Sequence, residues 1–236
     1  MPGADVAPLR DIGRVSAVLT SALEPLAAPQ GIPEHDWMVE RAHHSLRHAL
    51  DALPPSREVD LTEQVLAFPE EHRPTFAQLP RSTVHQDLNE DNLFVPGPHP
   101  ARVVGVIDFN DAAHTIRVAD VAIAAGYAMR RGGAPRANLI EVVRGYEGVR
   151  ALTGAERSVV FPIAITRLCI NWAIWSARAQ EQPTVYGQAR SRTSWPFIEQ
   201  IVRQDLHSAQ EWVLEQLLSP AATPGGATPG PGRPRS

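Results

Sequence analysis

His85-Gln-Asp-Leu-Asn-Glu-Asp-Asn92 places three carboxylates and two asparagines within eight residues. Thr83-Val84 precedes it and Leu93-Phe94-Val95 follows it, two short stretches that read as strand ends. Like charges repel, so a fold holds such a group together where a cation or a reaction makes use of it. The turn-forming PGPHP (96–100) and the β-branched RVVGVID (102–108) come next, so the acidic stretch sits on a loop leading into a hairpin. Loops held by rigid strands commonly carry catalytic groups.

The spacing is H-x-D-L-x-x-x-N, through His85, Asp87, Leu88 and Asn92. A kinase catalytic loop has this spacing, and Gln86 stands where protein kinases carry arginine. Ile107-Asp108-Phe109-Asn110 matches the Asp-Phe-Gly metal element, with asparagine last. The chemistry accounts for the residue types. An acceptor hydroxyl must be aimed and relieved of its proton, which the Asp87 carboxylate can do. Phosphates repel the incoming oxygen, and Mg²⁺ relieves that repulsion; such hard cations take oxygen ligands, which Asn92 and Asp108 offer.

The remainder reads as mostly helical. Ile12, Val15, Leu19, Leu23 and Leu26 keep helical spacing across 8–28. PQGIP (29–33) is a turn, and 36–52 is a second helix with Asp36 as its cap. Residues 60–69 form a short helix. VADVAIAAGYAM (118–129) is apolar on nearly all faces, hence a buried helix. Residues 137–149 are amphipathic, 156–180 form a long buried helix with Pro162 near its start, and 194–218 read as one last helix with Pro196 in its first turn. Residues 219–236 are Pro/Gly-rich and read as a disordered tail.

Composition narrows the field. The 236 residues are 43% hydrophobic with a net charge of −4, globular values that do not suggest a nucleic-acid partner. No basic-then-apolar leader opens the chain, and no unbroken apolar run reaches the ~18 residues of a membrane span. The lone Cys169 cannot form an internal disulfide, and a reducing, cytoplasmic setting fits it. All 22 basic residues are arginine. Lysine is absent, so no step can use one of this chain's own.

VHQDLNEDNLFV, VVGVIDFNDA and ADVAIAAGYAM, with the later GYEGVRALTGAER, resemble the aminoglycoside phosphotransferase and choline kinase superfamily, and within it hydroxylysine kinase-like proteins. The resemblance spans roughly residues 9–218. It implies an α+β, mostly helical fold, the C-terminal lobe of a protein-kinase-like structure, with a short hairpin carrying the catalytic loop. It implies Asp87 as catalytic base, Asn92 and Asp108 as Mg²⁺ ligands, and Asp120 as a brace of the loop. Asp111 becomes the second acid, near metal or substrate, with a turn residue as the plainer reading. His85 orients the loop. ATP or GTP would be the phosphate donor, and the acceptor a hydroxyl on an amine-bearing metabolite, hydroxylysine-like or aminoglycoside-like. Gln86 departs from the family's usual glycine.

The family's nucleotide-gripping lobe, with its glycine-rich turn and lysine, has no counterpart in these 236 residues. The expectation is a truncated form, a chain that pairs with a separate N-lobe, or a catalytically silent lobe that binds a ligand or partner. Positioning and charge stabilisation supply most of the rate in phosphoryl transfer. Alone, this chain is therefore expected to turn over below the ~1 s⁻¹ of ordinary kinases in a steady-state assay.

Other features read as structural. His44 and His48, at i and i+4, could face one metal, yet no third ligand is evident. Glu90 and Asp91 read as solvated loop residues, and Cys169 as a small buried hydrophobe. Trp172, Trp175 and Trp195 read as core, with a minority case for a residue of the long helix lining a substrate pocket.

Overall fold

The computed structural model describes residues 6–26, 34–97 and 102–219, with the side chains at 190 and 191 outside that description. The expected PQGIP turn, most of the PGPHP turn and the tail beyond Ser219 lie outside the described residues.

Eight helices and two small antiparallel sheets make up the described residues: a mostly helical α+β fold. Helix α1 is Ala7–Leu23, and a 3₁₀ turn at Val39–Arg41 runs into α2, Ala42–Asp51. Helix α3 spans Arg57–Phe76. The strands are β1 (Arg81–Val84), β2 (Leu93–Phe94), β3 (Gly105–Val106) and β4 (Ala113–Ile116). Helices α4 (Ala119–Ala128), α5 (Pro135–Glu147), α6 (Gly154–Glu181), α7 (Val185–Val202) and α8 (Leu206–Leu218) complete the chain.

The core is built around α6, against which α2, α3, α4, α7 and α8 pack. Its length and composition would suffice to cross a membrane, yet 89% of its most apolar 18 residues are buried inside the fold. It is a core helix. A capping box starts it: Thr153 Oγ1 accepts from Glu156 N, and the Glu156 carboxylate accepts from Thr153 N. Glu156 is fully buried and is also gripped by Arg117 through two bonds of 2.9 and 2.8 Å. Helices α1 and α5 meet backbone to backbone. A Cβ on Gly13 would lie 1.8 Å from Val142 O, and one on Gly145 1.9 Å from Arg10 O. No side chain fits at either crossing point.

The structure revises several sequence expectations. The final helix is two: α7 begins at Val185, the chain breaks at 203–205, and the Asp205 carboxylate caps α8 by accepting from His207 N. Pro196 therefore lies inside α7 rather than in a first turn. Helix α3 runs from the Ser56 cap through Pro69 and Pro74, because burial of Val59, Val65, Leu66 and Phe68 outweighs the missing donors. RVVGVID is strand only at Gly105–Val106, since Asp108 turns into a left-handed conformation (φ 63°) just beyond. Strand β4 was not expected. It pairs with β1 from Arg81↔Ile116 to Val84↔Ala113, and β2 pairs with β3 through Leu93↔Val106 and Phe94↔Gly105.

Candidate active site

Strand β1 delivers His85 to the end of a rigid ribbon. His85 is fully buried, and its ring joins the two sequence motifs. Asp87 N–H donates to His85 Nδ1 at 3.2 Å, so the ring proton sits on Nε2, which donates to Ile107 O at 2.9 Å. The ring also meets Phe109 edge-on, with centroids 4.6 Å apart. This one imidazole thus fixes the distance between the Asp87 loop and the Asp108 turn.

Asp120, in the first turn of α4, is fully buried. Its Oδ2 accepts from His85 N (3.1 Å) and its Oδ1 from Gln86 N (2.7 Å). Burial pushes its carboxyl above the ordinary carboxylate range, and the two backbone donors work against that rise. The anchorage matters because Gln86 has φ 63°, a conformation costly for any side chain but glycine's. Gln86 answers with its own side chain. Nε2 donates to Asp111 O at 3.1 Å, and Oε1 accepts from Val39 N at 3.3 Å. Gln86, which stands where the resemblance implies glycine, is a fully buried tie between the loop, the Asp111 turn and the 3₁₀ turn.

Asp87 has both carboxylate oxygens engaged. Oδ1 accepts from Arg167 Nη2 at 2.7 Å and from Tyr127 Oη at 3.3 Å. Oδ2 accepts from Asn89 Nδ2 at 2.8 Å and Asn92 Nδ2 at 3.0 Å. Asn92 Nδ2 also donates to the Asp87 carbonyl at 2.9 Å. Arg167 lies in the middle of α6, only 3% exposed. It also donates to Tyr127 Oη (3.2 Å) and Trp37 O (3.0 Å). Burial works to lower its pKa, but Tyr127 and Asp87 more than offset this and hold the guanidinium firmly charged.

These groups share a cavity of about 180 Å³. Asp87, Asn92, Asp108 and Asp111 all line it, so the structure brings together the residues predicted as base, metal ligands and second acid. His85 and Asp120 stand behind its wall. Asp91 is on the wall as well, whereas Glu90 turns away to Arg130 at 2.7 Å. The Asp111 carboxyl is raised chiefly by burial; Arg167 opposes the rise, and Asp87 and Asp108 add to it. Asp108 is exposed, and its Oδ1 accepts from Asn110 Nδ2 at 2.7 Å.

As a cation site the donor set is oxygen only: the Asp108 carboxylate and the Asn92 amide oxygen, whose own amide nitrogen is already committed to Asp87. That suits a hard ion such as Mg²⁺, which takes one or two carboxylates and completes its shell with phosphate and water. Among the described residues no group of three or more His, Cys, Asp or Glu is placed to hold a metal by itself. His44 and His48 stack 6.4 Å apart, with no such group around them. Cys169 is fully buried and its thiol is pushed up to about 12, so it is inert.

Sequence reasoning missed Arg167, Arg178, Trp37 and Tyr127, which also line the cavity. Of the three tryptophans, Trp175 reaches it, while Trp172 and Trp195 pack together 5.1 Å apart beside a separate groove of about 420 Å³. That groove is larger, but none of the converging aspartates lines it.

Comparison with known proteins shows what the chain is similar to. Residues 1–152 match the family model described as the phosphotransferase enzyme family. Hydroxylysine kinase of Bos taurus is 26% identical over 224 residues, covering 89% of this chain and 59% of that protein. Homoserine kinase of Rhizobium meliloti is 31% identical over 154 residues, covering 62% of this chain and 44% of that protein. The chain thus spans well under two thirds of the length of these relatives. A microcompartment-associated aminopropanol kinase shares the fold, with a TM-score of 0.65 at 17% identity over 87% of this chain and 64% of its own.

Proposed function

We propose, since the chain belongs to the phosphotransferase enzyme family, that it moves the γ-phosphate of ATP or GTP onto a hydroxyl of a small amine-bearing metabolite, of the kind that hydroxylysine and homoserine represent. The observation that carries this reading is the shared cavity: Asp87, Asn92, Asp108 and Asp111 meet around one space.

Each residue then has a task. Asp87 accepts the hydroxyl proton and aims the oxygen at phosphorus. The acceptor's oxygen bonds to the γ-phosphorus, the bond from that phosphorus to the bridging oxygen breaks, and the nucleoside diphosphate departs with the electron pair. Four donors hold the Asp87 carboxylate in a single orientation, which is the positioning this chemistry needs. Asn92 and Asp108 would hold Mg²⁺, which when bound neutralises phosphate charge. Asp111 gives an ammonium group an anionic partner. Asp120 and Gln86 keep the loop in its left-handed turn.

Asp108→Ala tests the reading. Titrated calorimetrically with Mg·ATP and Mg·GTP, the variant is expected to lose nucleotide binding at least tenfold relative to the unaltered chain. Equal affinity in both proteins sinks the proposal. A second reading, a ligand-binding lobe without turnover, is favoured by the absence of lysine. It requires ligand binding that Asp108→Ala leaves unchanged, together with no phosphate transfer.

A further inference from the structure

Arg167, Asn171, Trp175 and Arg178 recur at helical spacing along α6, and all four line the cavity. The two arginines are in opposite circumstances. Arg167 is buried and neutralised by Asp87. Arg178 is exposed near the end of the helix, with its guanidinium carbon 5.7 Å from the Trp37 ring centre and 5.2 Å from that of Trp175. Among the described residues no carboxylate pairs with it. Contact with two indole faces restrains the plane of a guanidinium and leaves its N–H edge to a planar anion. Within the same small cavity Asp111 offers the opposite charge.

We infer that Arg178 is the carboxylate-recognising residue of the acceptor subsite, and that the acceptor is a hydroxylated amino acid rather than a simple amino alcohol. The ammonium end meets Asp111, and the carboxylate takes the free edge of Arg178. The hydroxyl is thereby left to Asp87. Trp37 and Trp175 act through Arg178, holding the guanidinium so that little freedom is lost on binding. This inference rests on the kinase reading for the identity of the acceptor, but not for the charge pairing itself.

The test uses matched ligands, by calorimetry on the full chain without nucleotide. One pair is 5-hydroxylysine and 1,5-diaminopentan-2-ol; the other is homoserine and 3-aminopropan-1-ol. Each pair differs by the carboxylate alone. The unaltered chain is expected to favour the carboxylate-bearing member by about 10- to 100-fold, the range of a charge-assisted bidentate contact. Arg178→Gln is expected to narrow that preference to about twofold while binding the decarboxylated member as before, which also shows that the variant is folded. Arg178→Lys keeps the charge without the fork and should fall between the two.

Equal binding of both members by the unaltered chain overturns the inference, as does a preference that survives Arg178→Gln. Loss of Mg·ATP affinity in Arg178→Gln with amino-acid selectivity intact overturns it too, and gives the arginine to the phosphate donor instead. Because no nucleotide enters the ligand titrations, failure of the kinase reading in the Asp108→Ala test leaves this result standing, and the converse also holds.

Discussion

Asp87→Asn is expected to lower phosphate transfer by about 10²–10⁴-fold, the usual contribution of a positioned proton acceptor. The substitution keeps the shape of the side chain and removes its capacity to take a proton. It also changes the hydrogen bonding in a way the structure defines. Arg167 and Tyr127 donate to Oδ1, so the new amide must keep its oxygen on that side. Its NH₂ then faces the Asn89 and Asn92 amides, which now donate to Oδ2. Neither amide can turn over without loss: Asn89 Oδ1 accepts from Asp91 N at 2.8 Å, and Asn92 Nδ2 also donates to the Asp87 carbonyl. Some loosening of Asn92 is the structural cost, and it should appear as a small weakening of Mg·nucleotide affinity. The chemical cost should dominate. Single-turnover transfer from labelled ATP to hydroxylysine, measured beside the unaltered chain, separates the two. A rate within tenfold of the unaltered chain, with affinity unchanged, would remove Asp87 from the reaction.

The parts of this site that could be read in the sequence are those encoded by short-range spacing. His85, Asp87, Asn92 and Asp108 lie within 24 residues, in two motifs whose separation suits a strand pair. The structure places the three oxygen donors among them on one cavity, with His85 bridging the motifs. Gln86 was visible as a departure, but its side-chain bonds to Asp111 and Val39 depend on a turn that only folding brings near. Strand β4 escaped because four residues, AHTI, carry too little alternation, and their partner β1 lies some thirty positions earlier. The break between α7 and α8 escaped because the apolar spacing continues across it. Asp205 was the available signal, a good cap residue in the middle of a presumed helix.

Arg167 is the instructive omission. It sits in ITRLCINWAIW, a largely apolar run that reads correctly as buried. An arginine in such a run must face a carboxylate, because a buried unpaired charge is prohibitively costly. That argument alone requires α6 to lie against an acidic group elsewhere in the chain. The acidic loop around Asp87 was the obvious candidate. Counting forward from Arg167 by helical turns then gives Asn171, Trp175 and Arg178, the rest of what α6 contributes to the cavity wall.

Removing that charge should therefore have the largest effect on stability. Arg167→Met keeps most of the side chain's apolar length and deletes the guanidinium. It removes the ion pair of Arg167 with Asp87 and the guanidinium's hydrogen bonds to Tyr127 Oη and Trp37 O. Breaking a buried pair by removing one member costs about 3–5 kcal/mol. Asp87 retains 18% exposure, so water can relieve part of the loss, and the low end, about 3 kcal/mol, is expected. The loss should depend on pH with a definite sign. Arg167 holds the Asp111 carboxyl down against its burial; without it the folded protein binds protons there more readily than the unaltered fold does. A native state that binds more protons loses stability relative to the unaltered chain as pH rises. The deficit of Arg167→Met should thus be smallest in acid and widen on passing upward through the carboxylate range. Urea unfolding at several pH values measures it, and the double substitution Asp87→Asn, Arg167→Met supplies the control. If the cost arises from an uncompensated charge on Asp87, neutralising that residue should recover much of it, giving coupling well beyond the few tenths of a kcal/mol seen between independent sites. Additive losses, or a deficit that does not change with pH, would mean that Arg167 acts through packing alone and does not poise the Asp87 carboxylate.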